Sequence, residues 1–194
     1  RFFVRKYEKN NWKHFDSIIA SSKFTAKHIY DIYKIKSEVI YLGANNIFFK
    51  NNLTGKSNAI LCLGDIKARH ALFLIETAYR LSKKRNDFEI WIAGDKYTHG
   101  KELKELARKL GISKIIKFYG KVSDEKLASL YSNALVFTHL VKDAPFGMQV
   151  TEAMASGTPV ISWKPGGPEE SITHNETGFL ISQFNHDELI KHIE

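Results

Sequence analysis

From residue 59 onward, short runs rich in Ile, Leu, Val and Phe alternate with longer stretches in which apolar residues recur every three or four positions. The runs fit strands buried on both faces, and the stretches fit helices that bury one stripe. The runs predict strands over 59–63 (AILCL), 88–93 (FEIWIA), 114–118 (KIIKF), 134–138 (ALVFT), 159–162 (PVIS) and 178–181 (GFLI). The stripes predict helices near 70–84, 99–110, 123–132 and 147–156, a shorter one near 168–174, and one from about 186 still running at Glu194. Strand and helix in alternation imply an α/β fold with a doubly wound, parallel, six-stranded sheet, because right-handed crossovers place helices on both faces.

The first fifty residues follow a different plan. Ser17 to Ser21 reads as a strand, 22–34 as a helix and Val39 to Leu42 as another short strand, before the polar linker Lys50 to Asn58. The expected division is therefore 1–50, the tail of a preceding domain, and 51–194, a domain truncated at its end. The chain opens on Arg1 in a pattern already helical, which fits a piece of a longer polypeptide. The mixed basic and aromatic opening Arg1 to Tyr7 reads as a severed helix, with membrane or nucleic-acid contact as the less favoured alternative.

Composition changes the picture only in part. With 43% hydrophobic and 26% charged residues the chain can bury an ordinary core. Lys and Arg exceed Asp and Glu by 29 to 21, a net +8 that favours anionic partners without choosing among them. The cations are scattered over many elements, which ranks nucleic acid last. Cys62 stands inside an apolar run as a small hydrophobe, and this single thiol fits a reducing, cytoplasmic setting. No run approaches the roughly 18 apolar residues that span a bilayer. The eight histidines lack the helical pairing with an acid that a zinc site uses, so no metal is expected; His139, before a loop at the sheet rim, is the one to watch.

Ligands of such sheets bind beyond the carboxyl ends of the strands, where the loops here carry Gly64, Gly94, Gly120, Ala144 to Gly147 and Pro165 to Gly167. The most informative segment runs from Pro145 to Ile161. Pro145 and Gly147 shape a helix entry, Gly157 ends the helix, and Thr158-Pro159 opens a strand. Free amides of residues 147 to 149, with the helix dipole behind them, form a natural seat for a diphosphate or for sugar hydroxyls. Glu152 lies one and a half turns further on among small apolar residues, where a carboxylate is costly unless something binds it. Paired ribose hydroxyls would do so; a backbone cap or a lysine partner would serve equally well.

These residues, in this order, resemble the signature of the GT4 family (group 1) of retaining glycosyltransferases, which adopt the GT-B fold. The resemblance runs from Ser17 to the end, through Ile18 to Thr25, Gly43, Gly64, Gly94, Phe118 to Val122, Pro145 to Ile161, Gly166-Gly167 with Glu170, and Thr177 to Leu180. It implies the end of an N-terminal domain followed by a C-terminal, nucleotide-sugar-binding domain, in a protein that transfers a hexose, with mannose or glucose the family-level expectation. It further implies that Glu152 holds the ribose, that Phe146, Gly147, Met148 and Gln149 meet donor sugar and phosphates, and that Gly120, Lys121 and Val122 cradle the base. Gly64 marks the phosphate loop. The donor, a uridine or guanosine diphosphate sugar, is a co-substrate; no metal or other cofactor is implied. The acceptor, a glycan or lipid, would lie against the absent domain, and the full-length protein would work in the cytoplasm or at the cytoplasmic face of a membrane.

Two departures stand out. Asp65 follows Gly64 where the family commonly has Arg, which leaves Arg69, the preferred candidate because a guanidinium can grip diphosphate oxygens bidentately, and Lys67 to compensate. Seven residues separate Ala144 from Glu152, and Ala144 stands where the family has its first acid; Asp143, one place earlier, is the candidate catalytic replacement. The alternative is a non-catalytic nucleotide-sugar or polyanion-binding module in which Ala144 and Asp65 mark a degenerate site.

Overall fold

The computed structural model describes residues 14–49, 55–63, 69–94 and 100–194. Gly64, Asp65, Lys67 and the opening Arg1 to Tyr7 lie outside the described residues, as does the side chain of Arg69. The chain falls into two compact units that divide between Leu42 and Gly43.

In the first unit, β1 (Ile19–Ala20) pairs in parallel with β2 (Glu38–Val39), with Ile19 opposite Glu38 and Ala20 opposite Val39. The strands are shorter than expected. Ser22 takes over the chain directly after β1, its hydroxyl accepting from the Thr25 N–H at 2.9 Å to open α1 (Lys23–Tyr33). Lys34, left-handed at φ 60°, closes the helix by donating its N–H to the Tyr30 carbonyl.

The second unit holds β3 (Ala59–Leu63), α2 (Arg69–Leu81), β4 (Glu89–Ala93), α3 (Gly100–Lys109), β5 (Ile116–Gly120), α4 (Asp124–Asn133), β6 (Val136–His139), α5 (Met148–Ala155), β7 (Val160–Lys164), β8 (Gly178–Ser182) and α6 (His186–Ile193). The six strands form one parallel sheet in the order β5-β4-β3-β6-β7-β8, the doubly wound arrangement expected. Strand order reverses between β3 and β6. Side chains alternate across the sheet, so neighbours on one strand enter opposite cores: Ile60 and Cys62 join Leu74, Ile90 and Leu189, while Leu61 joins Tyr131, Phe137 and Val150.

Several boundaries moved for identifiable reasons. Residues 113–115 wind as a 3-10 turn, which delays β5, and the Ala134 N–H still caps α4, which delays β6. Pro159 has no N–H to give the ladder, and β7 begins at Val160. The helix expected near 168–174 is only a 3-10 turn over Gly167–Glu170, because the Thr173 N–H turns to the Thr177 hydroxyl at 2.9 Å and His174 already bridges toward Gly178. Trp163, a candidate for the crevice mouth, is instead fully buried under Phe73, His70 and Phe184. The units divide ahead of the linker because Phe48 packs edge-on against Tyr131, and its carbonyl accepts from the Ser156 hydroxyl at 3.1 Å.

Candidate functional site

The carboxyl ends of β3 and β6 flank the point where strand order reverses, the position where open α/β sheets form a crevice. From His139 at the end of β6 the chain passes through Leu140 to Phe146 and enters α5 at Gly147. Gly147 has φ 89°, a conformation L side chains avoid, and a Cβ there would meet Pro168 Cγ at 3.1 Å, Val150 Cγ2 at 3.2 Å and His139 Cε1 at 3.3 Å. Among the described residues no side chain caps this helix, and its first turn lies at the positive end of the helix dipole.

This loop is clasped by the one after β7. The Gly167 N–H donates to the Ala144 carbonyl at 2.8 Å, so close that a Cβ on Gly167 would run into the backbone of Pro145 and Phe146. Gly166 in turn donates its N–H to the Glu169 carboxylate at 2.9 Å. Phe146 is buried and anchors the loop from below, whereas Met148 is exposed.

Glu152, one turn inside α5, is half-buried. Tyr131 of α4, itself fully buried, donates its hydroxyl to Glu152 Oε2 at 3.4 Å. Burial pushes the Glu152 carboxyl above the usual range; the Tyr131 bond opposes this and the nearby Asp124 carboxylate adds to it. Burial, reinforced by Glu152, likewise pushes the Tyr131 phenol up. Asp124 opens α4 just after Gly120, Lys121 and Val122, so the expected ribose and base positions are neighbours. Gly120 ends β5 at φ 67°, Lys121 is exposed, and Val122 packs into the core beneath α4 and α5.

His139 is 3% exposed. Its Nδ1 lies 3.2 Å from the Ser162 hydroxyl, and Gln149 is a further hydrogen-bonding neighbour. Burial lowers its pKa from 6.5 to about 4, helped by His70, so the ring is neutral at ordinary pH. Asp143 is exposed, with φ 52°, and lines an open recess of about 640 Å³ with Lys142, Lys164, Pro165, Glu169, Ser182 and Gln183. Glu152 is not part of that recess. Arg69 is the first residue of α2, and Gly64 and Lys67 lie outside the described residues.

Sequence reasoning missed Tyr131, the Ser162 hydroxyl and the clasp at Gly167. The inward face of α4 was legible from Leu127, Leu130 and Tyr131 at helical spacing, but nothing in the chain pairs Tyr131 with Glu152.

Residues 43–194 match the family of glycosyl transferases group 1. Similar proteins include the alpha-1,3/1,6-mannosyltransferase ALG2 of Homo sapiens, 26% identical over 197 residues that cover 85% of this chain and 46% of that protein. The mannosylfructose-phosphate synthase of Agrobacterium fabrum is 35% identical over 88 residues, 45% of this chain and 19% of that one. A glycosyltransferase from Rickettsia africae has a similar structure, with TM-score 0.84 and 27% identity over 97% of this chain and 55% of that one. Anabaena HepE, solved with UDP and glucose, shares the fold with TM-score 0.83 and 22% identity over 97% of this chain and 56% of its own. The chain spans less than half the length of these curated relatives.

Proposed function

The chain belongs to the group 1 glycosyl transferases, and from that premise we propose that it supplies the donor half of a retaining hexosyltransferase. The donor is a nucleoside diphosphate sugar lying along the carboxyl rim of the sheet. The observation that carries this reading is Glu152, a half-buried carboxylate whose neighbours among the described residues are a tyrosine hydroxyl and another acid. Ribose hydroxyls donating to it would satisfy the charge that burial disfavours. The base rests on the backbone of Gly120, Lys121 and Val122, close by at the start of α4. Bare amides of Gly147, Met148 and Gln149 hold the diphosphate and stabilise the negative charge that grows on it as the glycosidic bond breaks. Phe146 sets the loop in place. Arg69, with the loop carrying Gly64 and Lys67, grips the phosphates from the β3 side, and Asp143 takes the hexose contact that Ala144 cannot make.

In this reading residues 1–50 close an N-terminal domain that binds the glycan or lipid acceptor, and 51–194 form the donor domain. A reducing, cytoplasmic setting fits Cys62, which is buried and whose thiol pKa is pushed up to about 12. No described helix is long and apolar enough to cross a membrane, and contact with a membrane would be peripheral.

Calorimetric titration of the full-length protein with UDP, GDP and their sugars tests the reading. One nucleotide should bind, and Asp143→Ala should abolish turnover with the matching sugar. Absence of heat with all of them would remove the donor site; turnover unchanged by Asp143→Ala would remove that residue from it.

A further inference from the structure

Resting on that reading, we propose that His139 is a positioning residue for the donor, a fixed wedge that holds the first amides of α5 in line for the diphosphate. One buried ring joins three elements. It closes β6, its Nδ1 meets the Ser162 hydroxyl of β7 at 3.2 Å, and its Cε1 faces Gly147, 3.3 Å from where a Cβ on that residue would stand. Gln149, in the first turn of α5, completes the ring's polar surroundings.

The tautomer follows from counting protons. Ser162 has one hydroxyl proton, with the His139 carbonyl at 3.1 Å and the Trp163 carbonyl at 3.3 Å to receive it. Its oxygen therefore accepts from Nδ1–H, and the Gln149 side chain is a further hydrogen-bonding partner of the ring. Burial lowers the imidazole pKa to about 4, which keeps this arrangement intact at physiological pH and makes the role mechanical rather than acid–base. The strand end, the β7 hydroxyl and the helix entry are thus held by one group, directly behind amides whose aim toward a diphosphate must be correct to a fraction of an ångström.

The full-length protein tests this through nucleotide binding and steady-state kinetics. His139→Phe keeps the bulk and removes both polar contacts; it should raise the donor Kd and KM about tenfold while kcat changes far less. His139→Asn, whose amide can keep the Ser162 bond, should recover most of the loss at a similar Tm. Ser162→Ala, which leaves the ring in place and frees Nδ1, should shift KM in the same direction by a smaller factor. Wild-type affinity in both His139→Phe and Ser162→Ala would overturn the inference. So would an Asn variant as weak as the Phe variant with both melting early, which would mark the ring as mere packing. A wild-type protein that binds no nucleotide would instead overturn the donor reading and this inference with it.

Discussion

Two carboxylates in the second unit meet opposite fates. At the β4–β5 edge, Glu89 receives Lys117 at 2.8 Å and the Trp91 indole N–H at 2.7 Å, and these bonds hold its pKa below the usual range. At the β6–α5 rim, Glu152 is half-buried with a tyrosine hydroxyl and an acidic neighbour, and burial holds its pKa above that range. Where the fold answers a charge itself, the charge serves the fold. A charge left costly marks a place where something else is expected to answer it. The rim repeats this economy in Gly147 and Gly167, which forgo side chains, and in His139, which forgoes its charge.

The sharpest way to break the contrast is Gly167→Ala. Its Cβ has only backbone to displace, and the clasp on the β6–α5 loop should fail at a cost above about 4 kcal/mol, read as a collapsed Tm or insoluble protein. The Glu89 edge has nothing comparable to lose.

Acid comes next. The folded His139 has pKa about 4 against 6.5 unfolded, so between these values the unfolded chain binds a proton that the folded one refuses. Stability should therefore fall as pH drops through this window, by up to roughly 3 kcal/mol, in denaturant melts at stepped pH. His139→Phe should flatten that slope. His186 and His192, also lowered by burial, act with the same sign in both proteins and cancel from the difference.

Glu152→Gln should weaken nucleotide binding at least about tenfold yet raise the Tm of the free protein at neutral pH. A carboxyl whose folded pKa is raised favours the fold below pH 4.5, and that contribution is lost as pH rises through the folded value, so removing its charge helps at pH 7. Glu89→Gln should do the reverse: nucleotide affinity unchanged and stability lower by no more than about 1 kcal/mol, the range of exposed ion pairs. Its contribution is present above pH 4.5 and is lost as pH falls through the folded value. Calorimetry and thermal melts on the two variants would sink the contrast if the effects were exchanged.

Much of the architecture was legible because burial writes itself into sequence locally. Ala59 to Leu63 is continuously apolar since both sheet faces are covered, and Gly147 and Gly157 punctuate α5 where the backbone needs them. Glu152 was suspect for the cost of its setting and for its place in the family resemblance. What stayed hidden depends on segments that only the crossovers bring together. Tyr131 and Glu152 stand 21 residues apart, and Gly167 answers Ala144 from the next loop along the sheet. Trp163 looked available to the crevice because its run ends at the rim, yet strand alternation sends it under Phe73. The 168–174 segment was expected to form a short helix, but the Thr173 N–H turns to the Thr177 hydroxyl after one 3-10 turn.

At the other end of the sheet, a single ammonium does the joining. Lys56 donates to the Ala134 carbonyl at 3.0 Å and to the Thr158 hydroxyl at 2.8 Å, with the Ser132 carbonyl at 3.5 Å, riveting the end of α4 to the turn between α5 and β7. The foundation is thereby secured independently of the loops above it. A change of length or chemistry in the rim loops would leave these Lys56 bonds untouched.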